Sequence, residues 1–192
     1  MSSSPNFDRA ILRNQLQAYK PSYEAEKAFR ERMLFLLDEY PNCFERSLLH
    51  AHFTASAWLV NHELTHCLLT HHTKLDRWLQ IGGHADGETE LRKVCLKEVT
   101  EESGLQNICL ADGEIFDLDI HLIPERKGIP AHDHYDVRFL VYGNMEEEIR
   151  FNHESKSMKW LKLEEARTYY QKNDSIARMI NKTLELRLKY SC

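Results

Sequence analysis

The stretch that most restricts how this chain can fold is GGHADGETELRKVCLKEVTEESGL, residues 82–105. Apolar positions from Thr89 to Ser103 recur at helical spacing, and Gly104 stands where a left-handed residue commonly ends a helix. The short strand-like run RWLQ precedes it and stops at the double glycine. A strand, a tight loop and a helix in that order require a sheet with a helix laid against it. Each helical residue turns about 100°, so relative to Glu98 the side chains of Glu101 and Glu102 lie near roughly −60° and +40°. Val94, Leu91 and Cys95 fall near roughly −40°, +20° and +60° on the same scale. The three carboxylates therefore continue the side that the first half of the helix buries.

Carboxylates at the edge of a buried face repel one another and lose hydration, at a cost that a cation removes. Hard divalent ions, Mg²⁺ above all, take oxygen ligands of this kind and share them with phosphate. The plainer alternative is a solvated patch with Lys93 and Lys97 as ion-pair partners. Gly82 and Gly83 add a loop that a ligand could approach closely.

Around this stretch the pattern is mixed. Residues 7–19 and 23–39 read as two helices split by Pro21, the second carrying Ala25, Ala28, Phe29, Met33, Leu36 and Leu37 on one stripe. They form an N-terminal helical extension, 1–49, packed on a main domain, 50–192, in one globular unit. HFTASAWLV, LTHCLLTHH, EIFDLDIHLIP, HYDVRFLVYG and SMKWLKL read as strands, and LEEARTYYQ and SIARMINKTLELRLKY as closing helices, the last capped by Asp174 or Asn173. The fold class is α/β (α+β), a mixed sheet with helices on both faces.

A net charge of −5 and no clustered Lys/Arg exclude a nucleic acid polymer as the expected partner, while a small nucleotide stays open. No apolar run is long enough to span a membrane, and the N-terminus lacks a signal peptide's apolar core. The five cysteines are scattered with no CxxC pair, which points to reduced thiols and the cytoplasm.

The stretch resembles the signature of the Nudix hydrolase superfamily: glycine, five residues, Glu, seven residues, Arg-Glu, an apolar residue, any residue, Glu-Glu, any residue, glycine, an apolar residue. Gly83 takes the first position, Lys97-Glu98-Val99 stand for Arg-Glu-apolar, and Glu101-Glu102, Gly104 and Leu105 match in full. Thr89 replaces the first glutamate, between Glu88 and Glu90, and Lys97 replaces the arginine with a point charge. The resemblance extends over residues 50–165 and implies a Nudix-type α/β/α sandwich.

It also implies that Glu98, Glu101 and Glu102 hold Mg²⁺ or Mn²⁺, with Glu98 a candidate for orienting or deprotonating water. The carbonyl of Gly82 and the carboxylate of Glu154 are further ligand candidates. Gly83, Lys97 and Gly104 support the motif. The implied reaction is hydrolysis of a pyrophosphate in a nucleoside diphosphate linked to another moiety; a catalytically weak, nucleotide-binding regulatory domain is the alternative. The helical hairpin is a candidate dimerisation surface.

Eleven histidines are many for 192 residues. One face of the strand from residue 132 carries His132, His134, Asp136 and Arg138, the other Tyr135, Val137, Phe139 and Val141. That polar face is expected either to line a substrate cleft, with His134 or Arg138 on phosphate, or to be the exposed side of an edge strand. A transition-metal site at His132 and His134 has no obvious third ligand nearby in the sequence. His84 lies in the glycine loop, and Arg77 with Lys74 precedes it as a candidate for terminal phosphates. Trp58, Trp78 and Tyr135 could stack on a base, with Trp58 better read as core.

Overall fold

The computed structural model describes residues 5–126, 128–169 and 174–190. The elements are α1 (Pro5–Ala18), α2 (Glu24–Glu39), β1 (Ala51–Val60), β2 (His66–His72), β3 (Arg77–Leu79), β4 (Ile81–His84), α3 (Leu91–Ser103), β5 (Ile108–Ile123), β6 (His132–Gly143), β7 (Ser155–Lys162), α4 (Leu163–Tyr169) and α5 (Asp174–Tyr190). Strand order is β3-β2-β1-β6-β5, with β4 beside β1 and β7 beside β2. This is the mixed α/β arrangement the sequence predicts, N-terminal helices included. Asp174 opens α5, whereas Asn173, the alternative cap, lies outside the described residues.

Two differences from expectation are local. The double glycine does not end a strand: β4 runs through it. β5 begins at Ile108 instead of near Glu114, because Gly113, at φ 77°, lies within the strand and does not break it. Glycine inside a strand commonly marks such an irregularity.

The chain forms two compact units. One comprises Met1–Ser56, Gly82–Cys95 and Gly113–Phe139; the other comprises Ala57–Ile81, Leu96–Asp112 and Leu140–Cys192. In the first, α1 and α2 are joined through Glu26, whose buried carboxylate accepts from the backbone N–H groups of Ser22 and Tyr23 and from the Tyr19 hydroxyl. The hairpin reaches the strands of that unit through Gln15 Nε2, which donates to the Gly113 carbonyl at 2.9 Å. Arg32 pairs with Asp133 at 2.8 Å. Leu12, Leu16, Met33, Phe53, Val137 and Phe139 are buried there.

In the second unit β2 is the organising strand. It pairs antiparallel with β3, from Thr70↔Leu79 to His72↔Arg77, and with β7, from His66↔Lys162 to His72↔Ser155. Trp58 is fully buried and donates from Nε1 to Thr183 Oγ1 on α5 at 2.8 Å. It is a core residue, as its apolar surroundings in the sequence suggest. Burying an indole is tolerable when its N–H finds an acceptor.

Candidate active site

Helix α3 carries the acidic cluster. Glu102 is buried at 5% exposure, Glu98 is half-buried and Glu101 is exposed. The cluster thus straddles the boundary between core and solvent, as the helical angles require. Lys97 pairs with Glu101 one turn on, at 3.7 Å, while Lys93 turns back to Glu90 at 2.6 Å. The Lys97–Glu101 pair lies on the solvent side of the cluster, where both side chains are exposed.

The end of α3 is closed with care. Gly104, at φ 75°, donates its N–H to the Thr100 carbonyl. The N–H groups of Arg150 and Asn152 then reach the carbonyls of Ser103 and Glu102 at 2.7 and 3.3 Å. Asn152 also donates from its side chain to the Glu101 carbonyl at 3.3 Å. These bonds occupy carbonyls that a helix end otherwise leaves unpaired. They also tether to α3 the loop that carries half-buried Glu154, whose N–H is held by Asn152 Oδ1 at 2.9 Å. Glu98, Glu101, Glu102 and Glu154 all belong to one compact unit. Carboxylate oxygens are the donor type that hard divalent ions of the Mg²⁺ class take.

At the start of α3, Glu88 turns its carboxylate onto the Glu90 N–H at 2.9 Å, and Glu90 pairs with Arg92 and Lys93. Thr89 stands between them. Arg77 is exposed on β3, where Trp78 stacks on His71 with ring centroids 5.1 Å apart.

The other unit holds a second concentration of polar groups, which the sequence showed only in part. Gly82, on β4, lies so close to β1 that a Cβ would sit 2.3 Å from Ser56 Oγ and 2.7 Å from the Ala55 carbonyl oxygen. Any side chain there would force Ser56 or the β1 backbone to shift. Ser56 and Thr54 donate their hydroxyls to Asp136, at 2.8 and 3.0 Å. Asp136 accepts from Arg138 Nε at 2.7 Å, and the same guanidinium reaches Asp117 at 3.2 Å and Asp119 at 3.1 Å. Arg138 is 2% exposed. Burial works against its charge, but Asp119, Asp136 and Asp117 outweigh it and raise the guanidinium above its ordinary value.

The expectation that Arg138 meets phosphate does not suit a group so enclosed and so fully engaged by carboxylates. Nor is the polar face of β6 an exposed edge, since every residue from Tyr135 to Val141 is buried. That face meets matching polar stripes instead: His52, Thr54 and Ser56 alternate on β1, and Asp117, Asp119 and His121 alternate on β5. The stripes were readable as HxTxS and DxDxH, but nothing local says that these three strands are neighbours.

Toward one end of the stripes the polar residues are histidines. The His52 ring lies 5.2 Å from His84, 5.0 Å from His132 and 5.1 Å from His134, centroid to centroid. His84 meets His134 edge-on at 4.7 Å, and His121, bonded to Asp119, lies 5.5 Å from His134. Burial above all, with smaller contributions from neighbouring histidines and, for His52 and His84, from Arg46, pushes His84 down to about 4 and His134 down to about 2, and lowers His52. Burial thus favours the neutral form of His52, His84 and His134. His84 and His134, both expected at a substrate, lie in this cluster.

Among the described residues no helix is long and apolar enough to cross a membrane. Residues 50–182, well over half the chain, match the family model described as the NUDIX domain. A comparison with curated proteins finds no match. Among solved structures, an Ap4A hydrolase of C. elegans in a binary complex shares 16% identity over 70% of this chain and 96% of its own, with a TM-score of 0.56. The MutT protein of Methanosarcina mazei Go1 is similar at 16% identity, 71% and 94% coverage and a TM-score of 0.56. A NUDIX-family hydrolase from Clostridium perfringens shares 22% identity over 70% of this chain and 97% of its own, at a TM-score of 0.53. At these identities the solved structures speak for the fold.

Proposed function

Because the chain belongs to the NUDIX family, we propose that it hydrolyses a pyrophosphate bond in a nucleoside diphosphate linked to another moiety, by attack of water on phosphorus. The observation that carries this reading is the acidic cluster of α3, with Glu102 buried, Glu98 half-buried and the helix end braced by the Glu154 loop. Glu98, Glu101 and Glu102, with Glu154 as a further candidate, would hold Mg²⁺ or Mn²⁺. Such an ion supplies charge neutralisation of the pyrophosphate and a more acidic bound water.

The chain's own residues would do the rest. Glu98, half-buried, is the candidate to orient the water or take its proton. The brace at Arg150 and Asn152 keeps the carboxylates where they are needed, so little reorganisation accompanies reaction. Arg77, exposed and in the same unit, is the cationic candidate for a terminal phosphate. The cytoplasm suits the free thiols of Cys43, Cys67, Cys95 and Cys109.

A second reading, nucleotide sensing without turnover, draws on Thr89 and on Lys97, which is paired with Glu101 where the family motif has arginine. One experiment separates the two. Phosphate release is followed over a panel of dinucleoside polyphosphates, nucleoside diphosphate sugars and nucleoside triphosphates, with and without Mg²⁺, for the wild type and Glu102→Gln. Turnover that needs Mg²⁺ and falls at least about a hundredfold in Glu102→Gln supports hydrolysis. Tight nucleotide binding with no turnover on any member supports the sensor.

A further inference from the structure

The histidine cluster offers imidazole nitrogens where the end of α3 offers carboxylate oxygens. Ligand atoms of His52, His132 and His134 all lie within 4.8 Å of one another, from two strands about eighty residues apart in sequence. Their hydrogen bonds decide which nitrogen is which. His52 Nδ1 faces the Leu48 carbonyl at 3.3 Å, and His132 Nδ1 faces the Pro130 carbonyl at 2.8 Å. A carbonyl only accepts, so each Nδ1 carries the hydrogen. In a neutral ring, Nε2 is then a bare lone pair.

For His52, which is 4% exposed, that Nε2 has no hydrogen-bond partner. The buried Nε2 of His134 likewise has none. A buried ring nitrogen left without a partner is costly. Two of them beside a third imidazole with its Nδ1 locked by a backbone carbonyl make an unfavourable arrangement, unless something electron-poor sits among them. Fixing Nδ1–H on a carbonyl is also how proteins orient histidines for metal binding through Nε2.

We propose that His52, His132 and His134 form a binding site for a divalent transition-metal ion of the Zn²⁺ class, with an open position left for water or an oxyanion. Imidazole nitrogens suit ions of borderline softness over Mg²⁺. Zn–N distances of about 2.0–2.1 Å put tetrahedral nitrogens roughly 3.3 Å apart, so binding draws the three rings inward by small rotations. His84, edge-on to His134, is the side chain nearest to hand as a fourth ligand. The Arg46–Asp86 pair, bidentate at 2.6 Å, brings to this end of the unit a cation already balanced by a carboxylate, so it adds little net positive charge.

The test uses untagged, chelator-treated full-length protein titrated with Co²⁺, followed by visible d–d absorption, and with Zn²⁺ by competition. One equivalent of Co²⁺ should give a visible band that Zn²⁺ erases. His52→Gln and His132→Gln should each weaken Co²⁺ binding at least about tenfold. Glu102→Gln, which alters the other cluster, should leave the band unchanged while Mg²⁺-dependent turnover falls. Circular dichroism and thermal unfolding identify any histidine variant that fails to fold; His134→Gln and metal analysis of the wild-type protein then carry the decision. No band at one equivalent, or a band unchanged in folded histidine variants, overturns the proposal. Loss of the band in Glu102→Gln does so too, by assigning the ion to the glutamates.

Discussion

Replacing Arg138 by methionine removes a guanidinium that reaches Asp117, Asp119 and Asp136 at 2.7–3.2 Å. Asp117 and Asp136 are 0% and 2% exposed, and the guanidinium itself is 2% exposed. Taking away one partner of a buried ion pair costs about 3–5 kcal/mol, because the other charge is stranded. Here three carboxylates lose the same partner. Asp136 keeps the hydroxyls of Thr54 and Ser56, and Asp119 keeps His121, which blunts the loss. The expected destabilisation of Arg138→Met is therefore about 3–5 kcal/mol.

For a chain of this length that corresponds to a fall in Tm of roughly 6–20 °C. Urea and thermal unfolding by circular dichroism measure it directly. Arg138→Lys should fall between, since an ammonium cannot span three carboxylates with a planar fork. Adding Asp136→Asn to Arg138→Met should restore part of the loss, and acidification should narrow the gap by neutralising the stranded carboxylates. A loss under about 1 kcal/mol, or strict additivity in the double variant, would refute the account of a cation holding three charges together.

Other perturbations reach different parts of the molecule. Gly82→Ala drives a methyl group against Ser56 and the Ala55 carbonyl, and should destabilise by about 1–3 kcal/mol or more in urea unfolding. Adding Ser56→Ala should recover only part of it, because two of the three close atoms are backbone. Glu147 accepts from the backbone N–H groups of Gln106 and Asn107, at 2.7 and 3.0 Å, which hold its carboxyl below its ordinary value. A depressed folded value means that this contribution is complete above the ordinary carboxylate range and disappears as pH falls through the folded value. Amide exchange at Gln106 and Asn107 should therefore speed up on acidification relative to the intrinsic rate, and Glu147→Gln should abolish that extra pH dependence.

Much of this was legible from residues alone, for a physical reason in each case. Helix α3 and its acidic side follow from periodicity, and Gly104 as its terminator follows from the conformational freedom the φ of 75° demands. The alternation along β6 was equally plain. What alternation cannot say is which face is covered, so Arg138 read as a phosphate ligand when it is an interior cation. His52 escaped notice as a ligand because its partners lie about eighty residues away, on a strand that only the sheet order brings beside it. The glycine pair misled in the opposite direction. Gly82 is there for close approach to β1, which a sequence presents in the same way as a turn.

The polar stripes on β1, β6 and β5 also bear on how the chain finds its native pairing. Apolar strands can slide past one another with modest penalty when both faces are buried, because one valine replaces another. A one-residue slip of β6 would turn Asp136 and Arg138 into the apolar layer and bring Val137 and Phe139 against Asp117 and Asp119, and every hydrogen bond in the network would be lost at once. The buried charges thus act as a tooth in a ratchet. They penalise mispaired intermediates far more than they favour the native sheet, and the variant that removes them all should fold to a less uniquely aligned sheet even where its measured stability recovers.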